Sequence, residues 1–396
     1  MFDILPLQGG LEHVAGFYCD GTSVGLKANG ANDVAFIRSN TPCDVEAVFT
    51  TNTFQAAPIV HFKRYPAGFQ TNFLLMNAKN ANAMTGEKGV EDIDALLDTL
   101  RATFPALHNP IMSSTGVIGY RLNLPKISAA FKAFDYNAKH SDATARAIMT
   151  TDRFKKEFCV RVEPENGAPF HLAAICKGAG MINPAMATML CFIITDAAIP
   201  KEDAKPALLH AVEHSFNAAS VDGDTSTNDT VLLLSNGESG GYHKEGFQEA
   251  LNLLTLHLAK EIVRDGEGAT KLVAFEITGA ATQAEAKKAA KALSNSLLVK
   301  TALFGEDPNW GRIASTIGAS GITCNAQTLE IYYDNVLVFN AKCPELDAQR
   351  EALAAAVMKQ ESFKIRCELG VGKESYTALG CDLGHQYVTI NADYRT

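Results

Sequence analysis

Apolar positions in this chain recur at two periods. Short apolar or alternating runs at residues 46–50, 73–77, 171–176, 189–195, 231–235 and 272–278 predict strands, because a period of two sends one face toward a core. Between them the spacing becomes helical. From Lys244 to Val263, Phe247, Leu251, Leu254 and Leu258 share one stripe, and Asp265-Gly266 ends the pattern. A second helix follows Thr282, where Thr-Gln-Ala-Glu285 has capping-box spacing: the Thr side chain accepts from one orphan amide and the Glu reaches back to another. A third covers about residues 347–360. Residues 329–340 alternate around Asp334-Asn335 as a hairpin, and residues 363–369 and 387–391 predict further strands. No repeat, low-complexity tract or Pro/Ser-rich linker divides the chain.

One stretch interrupts the pattern. Lys177-Gly-Ala-Gly-Met-Ile-Asn-Pro-Ala-Met-Ala-Thr-Met-Leu190 sets two glycines and a proline, which suit no regular element, directly before the strand predicted at 189–195. Thr188 therefore sits where an irregular loop meets a buried strand. A Thr hydroxyl is a weak nucleophile at neutral pH and needs a base within hydrogen-bond reach. Cutting the Ala187–Thr188 bond would supply one, since an α-amino group has a reference pKa near ~8. The same hydroxyl can make the cut by attacking the preceding carbonyl, giving an ester that water hydrolyses. Taken alone, an Ala-Thr pair before a strand is ordinary strand sequence.

The length and composition frame this chemistry. With 396 residues, 47% of them hydrophobic, the chain can bury a substantial core. Its 35 basic and 44 acidic residues leave a formal charge of −9, and no Lys/Arg cluster could track a phosphate backbone, so nucleic acid is not an expected partner. No apolar run approaches a membrane span, and the start resembles neither a signal nor a transit peptide; no membrane partner and a cytoplasmic location are expected. Nine scattered cysteines without a C-x-x-C fit a reducing compartment, with Cys176 and Cys191 as small core hydrophobes.

The phrase from Lys177 to Leu190 resembles the self-cleavage signature of the ornithine acetyltransferases. The resemblance continues through Phe49-Thr-Thr-Asn52, Ala56-Ala-Pro58, Ser113-Ser-Thr-Gly-Val-Ile-Gly119, Thr150-Thr-Asp152, Val221-Asp-Gly-Asp-Thr-Ser-Thr-Asn-Asp229, Asp265-Gly-Glu-Gly-Ala-Thr-Lys271, Phe304-Gly-Glu-Asp-Pro-Asn-Trp-Gly-Arg312 and Asn391-Ala-Asp-Tyr-Arg-Thr396. It implies an α/β (α+β) fold with sheets sandwiched between helices, similar to amino-terminal-nucleophile enzymes, plus a C-terminal α/β region. It also implies self-cleavage into an α chain (1–187) and a β chain (188–396, with a C-terminal subdomain from about 282), two of each forming a heterotetramer. Thr188 is the implied nucleophile, carrying acetyl from N2-acetylornithine to glutamate in arginine biosynthesis, with no cofactor or metal. Many members also use acetyl-CoA as donor, and the sequence leaves that open.

The family's oxyanion hole maps to Thr115 and Gly116, and its substrate contacts to Thr151, Lys177, Thr188, Glu267, Asn391 and Thr396. Read on their own, Lys177 offers a cation for a carboxylate and Glu267, between Gly266 and Gly268, an anion for an ammonium. Two departures stand out: Lys79 occupies a usual glycine position, and Arg153-Phe-Lys-Lys156 replaces the usual Thr-x-Pro-Lys, leaving Thr150 and Thr151 both open as ligands. A self-cleaving amidopeptidase, using water as acceptor, is the alternative. His210-Ala-Val-Glu-His214 has a zinc-peptidase spacing but no clear third ligand downstream. Asp222 to Asp229 lacks the Gly and bidentate Glu of a calcium loop, so Asp222 or Asp224 is expected to order its own loop.

Overall fold

A computed structural model describes residues 1–183 and 189–393. The larger part of the chain runs β1 (Phe2–Leu7), β2 (Phe17–Thr22), β3 (Val34–Phe49), α1 (Ala57–Phe62), β4 (Gln70–Asn77), α2 (Gly86–Thr103), β5 (Ile111–Ser114), α3 (Leu124–Ala133), α4 (Ser141–Ala147), β6 (Lys156–Pro164), β7 (Phe170–Lys177), β8 (Leu190–Thr195), α5 (Lys201–Glu213), β9 (Thr230–Ser235) and α6 (Lys244–Arg264). The remainder is β10 (Leu272–Ala280), α7 (Gln283–Asn295), α8 (Leu297–Phe304), α9 (Trp310–Ala319), β11 (Glu330–Tyr333), β12 (Val336–Phe339), α10 (Ala348–Met358), β13 (Ser362–Glu368), β14 (Glu374–Cys381) and α11 (His385–Asp393).

Alternation along the strands sorts side chains into separate cores. Leu172, Ala174, Cys191, Ile193, Val231 and Leu233 pack against α5 and α6, while their neighbours Ala173, Ile175, Phe192, Ile194, Leu232 and Leu234 face the other way. That second core is closed by Ala35, Ile37, Leu74 and Met76, and the alternate residues Val34, Phe36, Phe73 and Leu75 pack on α2 and α3. One nine-stranded sheet makes both layers, in the order β1-β6-β7-β8-β9-β3-β4-β5 with β2 also on β3. It turns over at β3. The first half of this strand pairs with β2 and β4, the register slips between Arg38 and Cys43, and Asp44 to Phe49 pair with β9. The result is a helix–sheet–sheet–helix stack, the layering that the family resemblance implies.

A second sheet, ordered β12-β11-β13-β10-β14, packs on α7, α9 and α10 through Phe275, Ile331, Ile365, Leu293, Ile313 and Met358. Leu272, Leu379 and Cys381 join it to the core that holds α6.

The stripe predicted for α6 is fully buried. The hairpin forms at β11 and β12, with Asp334 in the left-handed region at φ +47°. Two expectations change. Thr282 caps α7 by accepting from the Glu285 N–H at 3.2 Å, but the Glu285 carboxylate accepts from the Thr323 amide and hydroxyl instead of reaching back. Residues 387–391 belong to helix α11, not a strand, because Tyr387 and Asn391 are used one turn apart on the same face. Cys176 and Cys191 are buried partners across β7 and β8, and burial pushes the Cys176 thiol up to about 12. Among the described residues no helix is long and apolar enough to cross a membrane.

Candidate active site

Four strand ends meet at one end of the sandwich. Lys177 closing β7 pairs with Leu190 opening β8, Leu190 with Thr230 opening β9, and Thr230 with Phe49 closing β3. Every residue of β8 is buried. A large apolar side chain such as Phe192 contributes roughly 1.5–3 kcal/mol when removed from water, so the strand after the predicted cleavage point is firmly seated. Ala187 and Thr188 themselves lie outside the described residues, as does Thr396.

Thr115 and Gly116 follow β5 in a turn pinned from two sides. The Thr115 N–H donates to the Asn77 carbonyl at 3.1 Å, and the Asn228 side-chain amide donates to the carbonyls of Ser114 and Ala81 at 2.9 and 2.6 Å. Gly116 is at φ +132°, and a Cβ there would stand 2.2 Å from the Lys79 carbonyl carbon. Only glycine fits that approach. Lys79 itself sits at φ +69°, so the residue that replaces the usual glycine keeps a glycine-like backbone. Thr115 and Gly116 both line the pocket described below, where a hydroxyl and an amide can serve a developing oxyanion.

The loop after Lys177 is held by its carboxylate neighbours. Gly178 N–H donates to Asp152 at 2.8 Å, and the Met181 and Ile182 amides donate to the two oxygens of Asp222 at 2.5 and 2.9 Å. Asp222 also accepts from the Asp224 amide, ordering its own loop as expected. Burial raises the Asp222 carboxyl above its usual range, against these three amides.

Beneath the loop lies a buried ion network. Lys156 Nζ donates to Asp152 at 2.7 Å and to Asp265 at 2.6 Å, with all three side chains wholly removed from water. Asp265, the C-cap of α6, also accepts from the Arg153 amide and guanidinium. Three remote segments are thereby fixed together: residues 150–153, the Lys177-Gly178 corner and residues 265–268. Burial would raise Asp152, but the Lys156 and Lys177 charges outweigh it and hold the carboxyl well below the usual carboxylate range. Burial also pushes Lys177 below the usual lysine range, with Asp152 resisting the change.

Glu267 leaves this network toward the loop after Lys177 and toward α11. Its amide donates to the Ala179 carbonyl at 2.9 Å, and its carboxylate accepts from Asn391 Nδ2 at 2.7 Å. A Cβ on Gly180 would come within 2.5 Å of that carboxylate's carbon, so a glycine there lets Glu267 cross the loop. The pocket so formed, about 170 Å³, is lined by Thr115, Gly116, Thr150, Thr151, Lys177 and Gly180, and by Met181, Asp222, Asp224, Glu267, Tyr387 and Asn391. It gathers the six described residues that the family pattern singled out, places Thr150 beside Thr151, and puts Lys177 and Glu267 in one cavity. Tyr387, Met181 and the Lys156–Asp265 link carried no sequence signal as site residues. At α5, the Glu213 carboxylate of the His-x-x-Glu-His spacing is taken by Lys287 and Asn217.

Comparison with known proteins follows the same residues. The ArgJ family model matches residues 18–396. The chain belongs to the ArgJ family. Among ArgJ relatives, the arginine biosynthesis bifunctional protein ArgJ of Wolinella succinogenes is 56% identical over 396 residues, covering all of both chains. That of Symbiobacterium thermophilum is 41% identical, covering 98% of this chain and 99% of its own. A crystal structure of argJ from Bacillus halodurans is 41% identical, with a TM-score of 0.49 over 51% of this chain and 98% of that one.

Proposed function

We propose that this ArgJ-family chain is the glutamate N-acetyltransferase of arginine biosynthesis: it cuts itself at Ala187–Thr188 and then carries acetyl from N2-acetylornithine to glutamate on Thr188. The observation that supports this most is the convergence, around one pocket, of a buried lysine, a carboxylate and the Thr115-Gly116 turn at the strand end that Thr188 precedes. An acetylated ornithine offers the complement. Its carboxylate meets Lys177, its terminal ammonium meets Glu267 with Asn391 beside it, and Thr150 and Thr151 supply hydroxyls nearby.

The reaction proceeds in two halves. The free amine of Thr188 takes the hydroxyl proton, Oγ bonds to the acetyl carbon, and the oxyanion rests on the Thr115 hydroxyl and the Gly116 amide. Each such donor is worth roughly 2.7–4 kcal/mol in the transition state. Ornithine leaves with a proton, and glutamate, whose carboxylate suits Lys177, takes the acetyl group in the reverse sequence. No step calls for a metal or cofactor. Acetyl-CoA as a second donor, a heterotetramer of two α (1–187) and two β (188–396) chains, a substrate contact by Thr396 and a cytoplasmic setting belong to the same proposal.

Intact mass of the purified protein tests maturation, with two fragments meeting at Ala187–Thr188 expected. Acetyl transfer assayed with and without glutamate tests the reaction: glutamate-independent acetate release would favour a hydrolase instead. A Thr188→Ala protein that still cleaved itself and turned over would falsify the nucleophile assignment.

A further inference from the structure

Asp229 has no part in the transfer reaction as written, yet it holds the residue that follows Thr188. It stands immediately before β9 with no exposure to solvent. One carboxyl oxygen, Oδ1, accepts the Met189 N–H at 3.1 Å, and the Thr230 amide takes the Met189 carbonyl at 3.1 Å. The other oxygen, Oδ2, is buried and has no hydrogen-bond partner. The Thr50 hydroxyl beside it donates instead to the Ser226 carbonyl at 2.7 Å, while the Thr50 amide donates to the Asp229 backbone carbonyl.

A buried carboxylate oxygen without a donor is strongly disfavoured, whereas a carboxylic acid places its own proton there. Burial accordingly raises the Asp229 carboxyl well above its usual range, outweighing the Met189 amide and the charge of Lys177. Its surroundings thus favour the neutral, proton-bearing acid, and its anchor is the amide of the residue after the proposed cleavage point.

Self-cleavage needs such an acid. When Thr188 Oγ bonds to the Ala187 carbonyl carbon and the Ala187–Thr188 C–N bond breaks, the nitrogen keeps the electron pair and must gain a proton, while Oγ must lose one. We propose that Asp229, anchored to the Met189 amide, gives its Oδ2 proton to the departing nitrogen and recovers the one lost by Oγ. No proton is consumed. Water then hydrolyses the ester, its hydroxyl going to Ala187 and its hydrogen to Oγ. This inference rests on Thr188 being the nucleophile.

The test times cleavage of freshly synthesised full-length precursor in a cell-free system, by denaturing gel and intact mass, from mildly acidic to alkaline pH. Three proteins are compared: wild type, Asp229→Asn and Thr188→Ala. Asparagine can still accept the Met189 N–H but has no acidic proton. Asp229→Asn is expected to cleave about 100-fold more slowly, and wild-type cleavage to slow as rising pH ionises the carboxyl. Cleavage of Asp229→Asn at the wild-type rate and with the wild-type pH profile overturns the proposal. So does wild-type cleavage that only accelerates as pH rises across the whole range, a reading independent of whether the variant folds. Cleavage of Thr188→Ala would overturn the nucleophile reading instead, whatever Asp229→Asn does.

Discussion

The two walls of the pocket are built differently. On the inner wall, Lys156 joins Asp152 and Asp265 with no side-chain exposure, and this network fixes the corner from which Lys177 projects. On the outer wall, α11 buries no residue and reaches the site through the Asn391 bond to Glu267 and a 3.4 Å contact from the Tyr387 hydroxyl to Asp222. The inner wall is organised before any ligand arrives, because an unpaired charge there would be intolerable. The outer wall rests on neutral or half-exposed hydrogen bonds worth about 1–3 kcal/mol at most. Stability should therefore depend on the first wall and substrate affinity on the second.

The sharpest way to break the contrast is Lys156→Met, which removes the cation that two buried carboxylates share. A loss of about 3–5 kcal/mol is expected, read as a lower denaturant midpoint. Acid unfolding probes the same wall. Because the folded Asp152 carboxyl lies below its unfolded value of about 3.9, its contribution is fully present above that pH and is lost as pH falls through the lower folded value. The wild-type protein should therefore hold this wall into acid below the ordinary carboxylate range, and Lys156→Met should fail at higher pH; equal acid midpoints would count against the network.

Between the walls, Gly180→Ala would push a methyl against the Glu267 carboxylate. That carboxylate can swing away, so the fold should stand while the KM for N2-acetylornithine rises roughly 10-fold. The smallest effect is expected on the outer wall. Asn391→Ala should raise KM about fivefold with an unchanged unfolding midpoint, consistent with one lost hydrogen bond of about 1 kcal/mol. A large fall in that midpoint would mean that α11 belongs to the stable core after all.

The same contrast explains what the sequence made legible. β4, β7, β8, β9 and α6 sit between packed layers, so their apolar periods are dictated by burial and can be read directly. α11 was misread as a strand because nothing on it is buried, and a nine-residue helix without an apolar face leaves no period to find. Glu285 left its capping box because Thr323, brought near only by the fold, offers two donors. Thr115, Gly116, Lys177 and Glu267 were legible as motif positions, but their meeting in one cavity was not. Lys156 gave no signal of its own, since it keeps the Lys of the family's Thr-x-Pro-Lys where Arg153 and Lys155 depart from it. Its partners lie four and 109 residues away, and no linear spacing announces such a bridge.

The pairing of β7 with β8 has a further consequence for the life of the protein. Before the proposed cut, these strands are joined through residues 178–189, and the ladder from Leu172–Thr195 to Lys177–Leu190 can form by closing one short loop. Afterward the same ladder lies between two polypeptides. Nothing releases them while the sheet stands, but once heat separates them, reassembly is a second-order event. The mature protein would then recover from denaturation only at high concentration, whereas the uncut Thr188→Ala chain would recover at any dilution. Maturation in that sense trades reversibility for a nucleophile.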